Sequence, residues 1–412
     1  MLRINPFAAL RPRPDVVDKV ASVPYDVVNT QEARELVRGN DLSFLHVVRP
    51  EVDLPADTDL HADEVYERAV INFQRLQNDG VLIREQKPCI YLYRLQTTLL
   101  GKQVSQTGVV CSCHIDDYNT GIIKKHEKTR KDKEDDRTRH VLTLNANTGP
   151  VFLLYKAQPE LSTMIEKGVK TDPLYDFTAP DGVQHTIWRI EDCPPYVNAF
   201  AKVEAAYVAD GHHRSASAAR AGAELREKNQ NHKGDEEYNW YLTVLFSSDQ
   251  LSILPYNRVV KDLNNLTPEQ LLDKVREVGM VEATTNPAPE NTGSCDMYLD
   301  KKWYRITLPE SSIDRGDPVN SLDYVLLYDR ILHPILGIGD IRTDLRIDFV
   351  GGIRGTGELE KRVNSGECAV AFAMHAVTIS QLIEVADAGQ IMPPKSTWFE
   401  PKLRSGLLVH TL

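Results

Sequence analysis

The chain has 412 residues, 42% of them hydrophobic and 26% charged, the balance of a soluble globular protein of roughly two to three domains. Its formal net charge of −11 argues against a general nucleic-acid binder or a protein of anionic membrane surfaces. A local basic pocket is still allowed.

No stretch approaches the ~18 apolar residues of a membrane span, and Met1-Leu2-Arg3-Ile4-Asn5-Pro6 lacks the apolar core of a signal peptide. Cys89, Cys111, Cys113, Cys193, Cys295 and Cys368 form no C-x-x-C pair. Cys111 and Cys113 would share one face of a strand as core thiols. A cytoplasmic protein with reduced thiols is expected.

In chain order, a Pro- and Val-rich opening contains Pro6-Phe7 and Pro24-Tyr25-Asp26-Val27-Val28. A helix is predicted from near Thr30, and a second over about 61–79, ending at Gly80, with Val65, Ala69, Phe73 and Leu76 at helical spacing. Strands over 89–96 and 106–115 flank Gly101-Lys102 and read as a hairpin. A buried strand follows at 151–155, a loop over 172–182 and a strand over 186–191. Residues 203–229 read as strand, turn and helix, and 240–247 as another strand. Thr267, Pro268 and Gln270 give the signature of a capped helix start. Two strands then flank the loop 286–294, a helix covers 323–336, and a strand covers 369–373. The expected organisation is a core over 1–261 carrying the phosphate-binding segments, a small α+β insertion over 262–320, and a C-terminal part, 321–412, that returns to the core.

Three segments carry chemistry. In Val208-Ala209-Asp210-Gly211-His212-His213-Arg214, an apolar strand meets a glycine turn and the start of an Ala- and Arg-rich helix. The N–H groups and dipole at a helix start favour an anion. Arg214 adds a bidentate clamp, Asp210 a base or metal ligand, and His212 and His213 proton donors or shuttles. The plainer alternative is a helix capped by Asp210.

The second segment, Lys124 to His140, is intensely charged. As a helix it aligns His126, Arg130, Lys133, Arg137 and His140 on one cationic face, beside a stripe holding Lys125, Thr129, Asp132, Asp136 and Arg139. Such a face is either solvated or binds phosphate. Glu127 sits within this cluster, where its carboxylate would be favoured and could act as base on a substrate hydroxyl. In the third segment, Pro393-Pro394 stiffens a loop that presents Lys395, Ser396 and Thr397 as donors for phosphate or carboxylate. Alternatively this is a C-terminal loop tied down by Trp398 and Phe399. Arg258 is a further candidate cation or a surface residue. No P-loop, G-x-G-x-x-G, G-x-S-x-G or H-E-x-x-H motif is present.

Together, Pro6-Phe7 with Pro24 to Val28, Lys125-His126-Glu127 with Asp136-Arg137, Asp210 to Arg214, Asp348-Phe349-Val350-Gly351-Gly352 and Met392 to Gly406 resemble the domain-of-unknown-function 1015 family. The Asp-Gly-His-His-Arg loop is also similar to the G-x-H-R loop of the ParB/sulfiredoxin fold, which binds nucleotide or polyphosphate and occurs in free serine kinases. That likeness implies an α+β fold with a mixed-sheet core of ParB/sulfiredoxin type and a smaller α+β subdomain. It implies Asp210 on the magnesium side, with His212, His213 and Arg214 on phosphates. The N-terminal glutamate base of those kinases has no clear counterpart here, and Glu127 is placed as base on the residues alone.

The reading is a Mg²⁺-dependent phosphotransferase acting on free L-serine, with pyrophosphate, ATP or ADP as donor. Lys125, His126, Arg130, Lys133, Arg137, Arg214, Arg258, Lys395, Ser396 and Thr397 are the phosphate-binding candidates. The catalytic candidates are Glu127, Asp210, His212 and His213, and Asp210 is the metal candidate. The partners are then a small acceptor, serine or phosphoserine, and a phosphoryl donor, with no nucleic acid and no membrane. A homo-oligomer is left open. The rivals are a phosphoserine phosphatase, a regulatory nucleotide-binding ParB-like module, and a redox protein needing a thiol beside the loop.

Overall fold

A computed structural model describes all 412 residues and shows a mixed α+β protein built on two sheets. The β-branched and aromatic runs form a nine-stranded sheet. Its spatial order is Ile123–Lys124, Ala206–Asp210, Val151–Tyr155, Trp240–Ser247, Lys102–His114, Ile90–Leu99, Gln184–Ile190 and Tyr175–Thr178, with Ile4–Asn5 also paired to Lys102–His114. Two pairings are parallel, Ala206–Asp210 with Ile123–Lys124 and Trp240–Ser247 with Val151–Tyr155. The central hairpin is as expected, and Leu99 opposite Lys102 leaves a two-residue loop. Leu100 and Gly101 both take positive φ there, the primed geometry that suits strand twist.

One difference lies at 172–182, where the Pro- and Asp-rich composition predicts only loop. It contains the edge strand Tyr175–Thr178, paired with Gln184–Ile190. An edge strand this short buries too little to leave a hydrophobic signature.

The second sheet has six strands, in the order Met280–Ala283, Lys302–Thr307, Ser294–Leu299, Val370–Met374, Tyr256–Val260 and Ile347–Gly351. Both expected boundaries, 262 and 320, therefore fall within the run of chain that supplies this sheet. The chain then recrosses to the first lobe: Trp398–Phe399 pairs with Ile253–Leu254, and His410–Thr411 with Ala146–Asn147. Thr267 caps its helix as predicted, exchanging bonds with Gln270.

The sheets share a core. Phe152, Leu154 and Phe246 of the first belong to one hydrophobic cluster with Met297, Leu299 and Phe372 of the second. The opposite face of the large sheet packs under Ala216, Ala218 and Ala219 of the helix His212–Lys228. A third cluster joins the N-terminal helices to Leu144 and Val409. No helix is long and apolar enough to cross a membrane.

The charged run departs from a continuous helix. Residues 125–130 are irregular, and the helix spans Lys131–Leu144. The preceding strand Ile123–Lys124 and the burial of His126, 1% exposed, draw this stretch into the interior. His126 thus leaves the face that helical spacing gave it, and Glu127 leaves the cationic cluster with it.

Candidate active site

The strand Ala206–Asp210 ends at Gly211, which takes φ 96° and ψ 33° before the helix His212–Lys228 begins. Glycine holds this left-handed conformation at no steric cost. A Cβ here would also stand 3.0 Å from Arg214 Nε. The helix start receives no side-chain cap, so Asp210 is not the cap of the plainer reading. Its first N–H groups and dipole are left available to an anion. They open onto a cleft of about 570 Å³ lined by both lobes.

From the first lobe the cleft takes Asp26, Glu127, Asp210, Gly211, His212 and His213; the second adds Tyr256, Asp348, Phe349, Arg354 and Arg362, and the C-terminal loop adds Lys395, Thr397, Trp398 and Lys402. The structure thus brings Glu127, Asp210, His212, His213, Lys395 and Thr397 together from three distant segments. Asp210 faces Arg214 at 3.0 Å and Lys402 at 3.6 Å. Although burial opposes it, these cations hold the Asp210 carboxyl down at about 2. Glu127 behaves oppositely. Burial raises its pKa, Lys395 pulls it back, and the charges of Asp210 and Asp26 raise it further.

His212 is buried, and its Nδ1 lies 4.0 Å from Glu127 Oε2. Its Nε2 has no partner. The ring of His126 packs edge-on against it at 4.6 Å, and His126 Nε2 is 3.4 Å from Thr397 Oγ1. Burial pushes both histidines down, His126 to about 4, so both are neutral at pH 7. His213 Nε2 accepts from the backbone N–H of Arg130.

The other candidates lie elsewhere. Arg214 lies behind the turn, bonded to Asp210 and the Pro150 carbonyl. Arg258 is buried, bonded to the carbonyls of Tyr256 and Lys395 and stacked on Tyr324 at 4.4 Å, a strut beneath the loop. Ser396 donates to the Pro393 carbonyl. Arg137 pairs with Asp136 at 2.7 Å and stacks on Tyr25 at 4.3 Å, outside the cleft. Arg130 pairs with Asp132, and Lys133 is exposed. Lys125 stacks on Tyr118 in a separate cavity of about 720 Å³, which shares only Glu127 with the cleft.

Asp26, Tyr256, Arg354, Arg362 and Lys402 went unassigned on sequence. Asp26, Asp348 and Lys402 stand in segments already noted there, Lys402 within Met392 to Gly406. Nothing local marks Tyr256, Arg354 or Arg362. All six cysteines are buried and free, and none lines the cleft, which leaves the redox rival without its thiol.

Comparison with curated proteins finds no match. Among solved structures, a free serine kinase in complex with AMP is 13% identical with a TM-score of 0.35, covering 73% of this chain and 91% of its own. A conserved hypothetical protein from Pyrococcus furiosus is 12% identical with a TM-score of 0.34, covering 73% and 94%. SbnI with C-terminal truncation from Staphylococcus aureus is 11% identical with a TM-score of 0.38, covering 73% and 86%. The family model described as "Protein of unknown function (DUF1015)" matches residues 4–325, which carry the Asp210–Arg214 turn and Glu127, and the chain belongs to that family.

Proposed function

We propose that the cleft transfers a phosphoryl group to the hydroxyl of a small molecule, with free L-serine as acceptor. One observation carries the reading: an uncapped helix start, two lysines, and carboxylates at Asp210 and Glu127 converge in one cleft. Phosphoryl transfer asks for such parts, since its catalysis is positioning and charge stabilisation. Serine as the acceptor rests on the likeness of the Asp210–Arg214 loop to that of free serine kinases.

In this mechanism the donor's terminal phosphate lies at the N–H groups of the helix start, with Lys395 and Lys402 neutralising its oxygens. The acceptor hydroxyl oxygen attacks phosphorus while the bond to the leaving phosphate breaks. Its proton passes to Glu127, whose raised pKa makes it a stronger base than an ordinary carboxylate. Neutral His212 stands beside that carboxylate, its Nδ1 4.0 Å from Glu127 Oε2.

No cluster of three or more His, Cys, Asp or Glu forms a protein cage for a metal. Mg²⁺ needs none, since one or two carboxylates and substrate phosphates suffice. The mutual repulsion of Asp26, Glu127 and Asp210 fits a cation among them. Asp210 would hold Mg²⁺ with Asp26, and the ion would supply charge neutralisation on the donor phosphates.

The test is phosphorus NMR of the protein with Mg²⁺ and L-serine, run in parallel with pyrophosphate, ATP and ADP, plus a tube of phosphoserine alone. The expected result is phosphoserine formed from one donor and lost in Asp210→Ala. Phosphate released from phosphoserine alone would replace the kinase by the phosphatase, and silence in every tube would sink both.

A further inference from the structure

The arginines drawn furthest into the interior are Arg11, Arg404 and Arg258, at 8%, 5% and 2% exposed. Arg11 faces Glu85 and Arg404 faces Asp181. Arg258 faces no carboxylate: around it are the carbonyls of Tyr256 and Lys395 and the rings of Tyr324 and Phe349, at 4.4 Å and 5.2 Å. Burial lowers its pKa to about 10, which leaves it charged at neutral pH. A buried charge without an acid is costly, and with no acid to compete its N–H groups go to carbonyls.

The seat of Arg258 is fixed and the residue it holds is strained. Arg258 lies on the strand Tyr256–Val260, opposite Phe349 on one side and Phe372 on the other. Lys395 takes φ 60°, the left-handed conformation that crowds the Cβ of any residue but glycine. Arg258 Nη2 donates to the Lys395 carbonyl at 3.2 Å, a charge-assisted bond to the strained residue itself. The Lys395 ammonium stands 5.5 Å from the centre of the Tyr256 ring, and both residues line the cleft. Tyr256 in turn meets the Trp398 ring edge-on at 4.9 Å. One guanidinium thus grips the backbone of the lysine and, through the Tyr256 carbonyl, the backbone of the residue whose ring the lysine covers.

We propose that Arg258 is a positioning residue for the anion site of the cleft: it holds Lys395 in the left-handed turn from which the ammonium meets a phosphate oxygen, without touching the ligand itself. The assignment rests on the phosphotransferase reading for the identity of the anion. It differs from a general structural role in one respect. The effect of Arg258 on the anion passes through Lys395 and vanishes when the lysine is absent.

A double-mutant cycle on the full chain tests this, read as pyrophosphate affinity by isothermal titration with Mg²⁺. Lys395→Met should weaken binding about tenfold, the loss of one charge-assisted bond, and Arg258→Met should weaken it to a similar degree. The double variant should bind within about twofold of Lys395→Met alone. Arg258→Lys keeps the charge and lacks the fork that reaches two carbonyls. It should also lose affinity in the parent and lose none in Lys395→Met, which keeps the cycle open if Arg258→Met fails to fold. Losses that multiply in the double variant would overturn the assignment, as would unchanged affinity in Arg258→Met or no pyrophosphate binding by the parent. Coupled losses without phosphoserine in any NMR tube would uphold Arg258 and overturn the reaction. Phosphoserine formed by Arg258→Met with the parent's donor KM would overturn Arg258 and leave the reaction standing.

Discussion

The turn at 206–228 and the charged run at 124–140 are both dense in ionisable side chains, and their fates diverge. At the turn, Gly211 bends the chain so that Asp210, His212 and His213 face one cleft, and the helix start keeps its N–H groups free. In the run, the helix Lys131–Leu144 consumes its own charges. Lys131 pairs with Asp135 and Arg137 with Asp136, each at 2.7 Å, and Arg220 reaches Asp135 from the neighbouring helix at 2.8 Å. Only Glu127, ahead of that helix, lines the cleft, with His126 buried against the ring of His212. A cationic face drawn at steps of three and four pairs with the acids of the adjacent stripe, as Arg137 does with Asp136, and those acids pair with charges on other elements, as Asp135 does with Arg220. Charge density marks a site where the backbone turns the charged side chains onto one cleft rather than along a helix surface.

The comparison is broken most sharply by kinetics. Asp210→Asn should lower kcat for phosphoryl transfer by about a thousandfold, whereas Lys133→Ala should change it by less than about twofold. A comparable loss in both would return the helix 131–144 to the active site.

Stability separates the regions next. Arg137→Ala leaves the buried Asp136 carboxylate with only the Tyr66 hydroxyl, 2.7 Å away, as a side-chain donor. Urea denaturation should show a loss of about 3 kcal/mol, the usual result of breaking a buried pair from one side. Donor KM measured on the folded protein should not move; a raised KM would make Arg137 a phosphate ligand.

An effect spread over several pH units separates the regions last. His126 is buried and its pKa is lowered from 6.5 to about 4. A lowered histidine means the unfolded chain binds protons more readily. The stability it contributes is therefore whole above pH 6.5 and is lost as pH falls through about 4, on the order of 3 kcal/mol. His212 is lowered in the same direction. Denaturation midpoints between pH 7 and pH 4 should fall less steeply in His126→Gln than in the parent, and equal slopes would put His126 in contact with water.

Much of the fold is legible in the chain because its signals are local. Capping chemistry at Thr267, the apolar periodicity of 63–78 and the glycine of the 100–101 turn are each decided within a few residues. The strand Tyr175–Thr178 escaped because its partner, not its composition, makes it a strand. The site shows the same divide. Asp210, His212 and His213 stand together in sequence, while Arg354 and Arg362 reach the cleft only through the pairing of Ile347–Gly351 with Tyr256–Val260.

The sequence by itself determined that a strand ends in a glycine turn crowded with acid, imidazole and guanidinium, because turn conformation and helix starts are set by neighbouring residues. It also determined the Pro-stiffened segment that brings Lys395 and Thr397. Tertiary structure alone decided which charges face the cleft. Ion pairs form with whatever lies closest in space, so Arg137, Arg214 and Arg258 are spent on internal partners. Tertiary structure also decided how far the His126 and His212 pKa values fall below the ordinary imidazole range, since the cost of charge in a low-dielectric interior depends on everything packed around them.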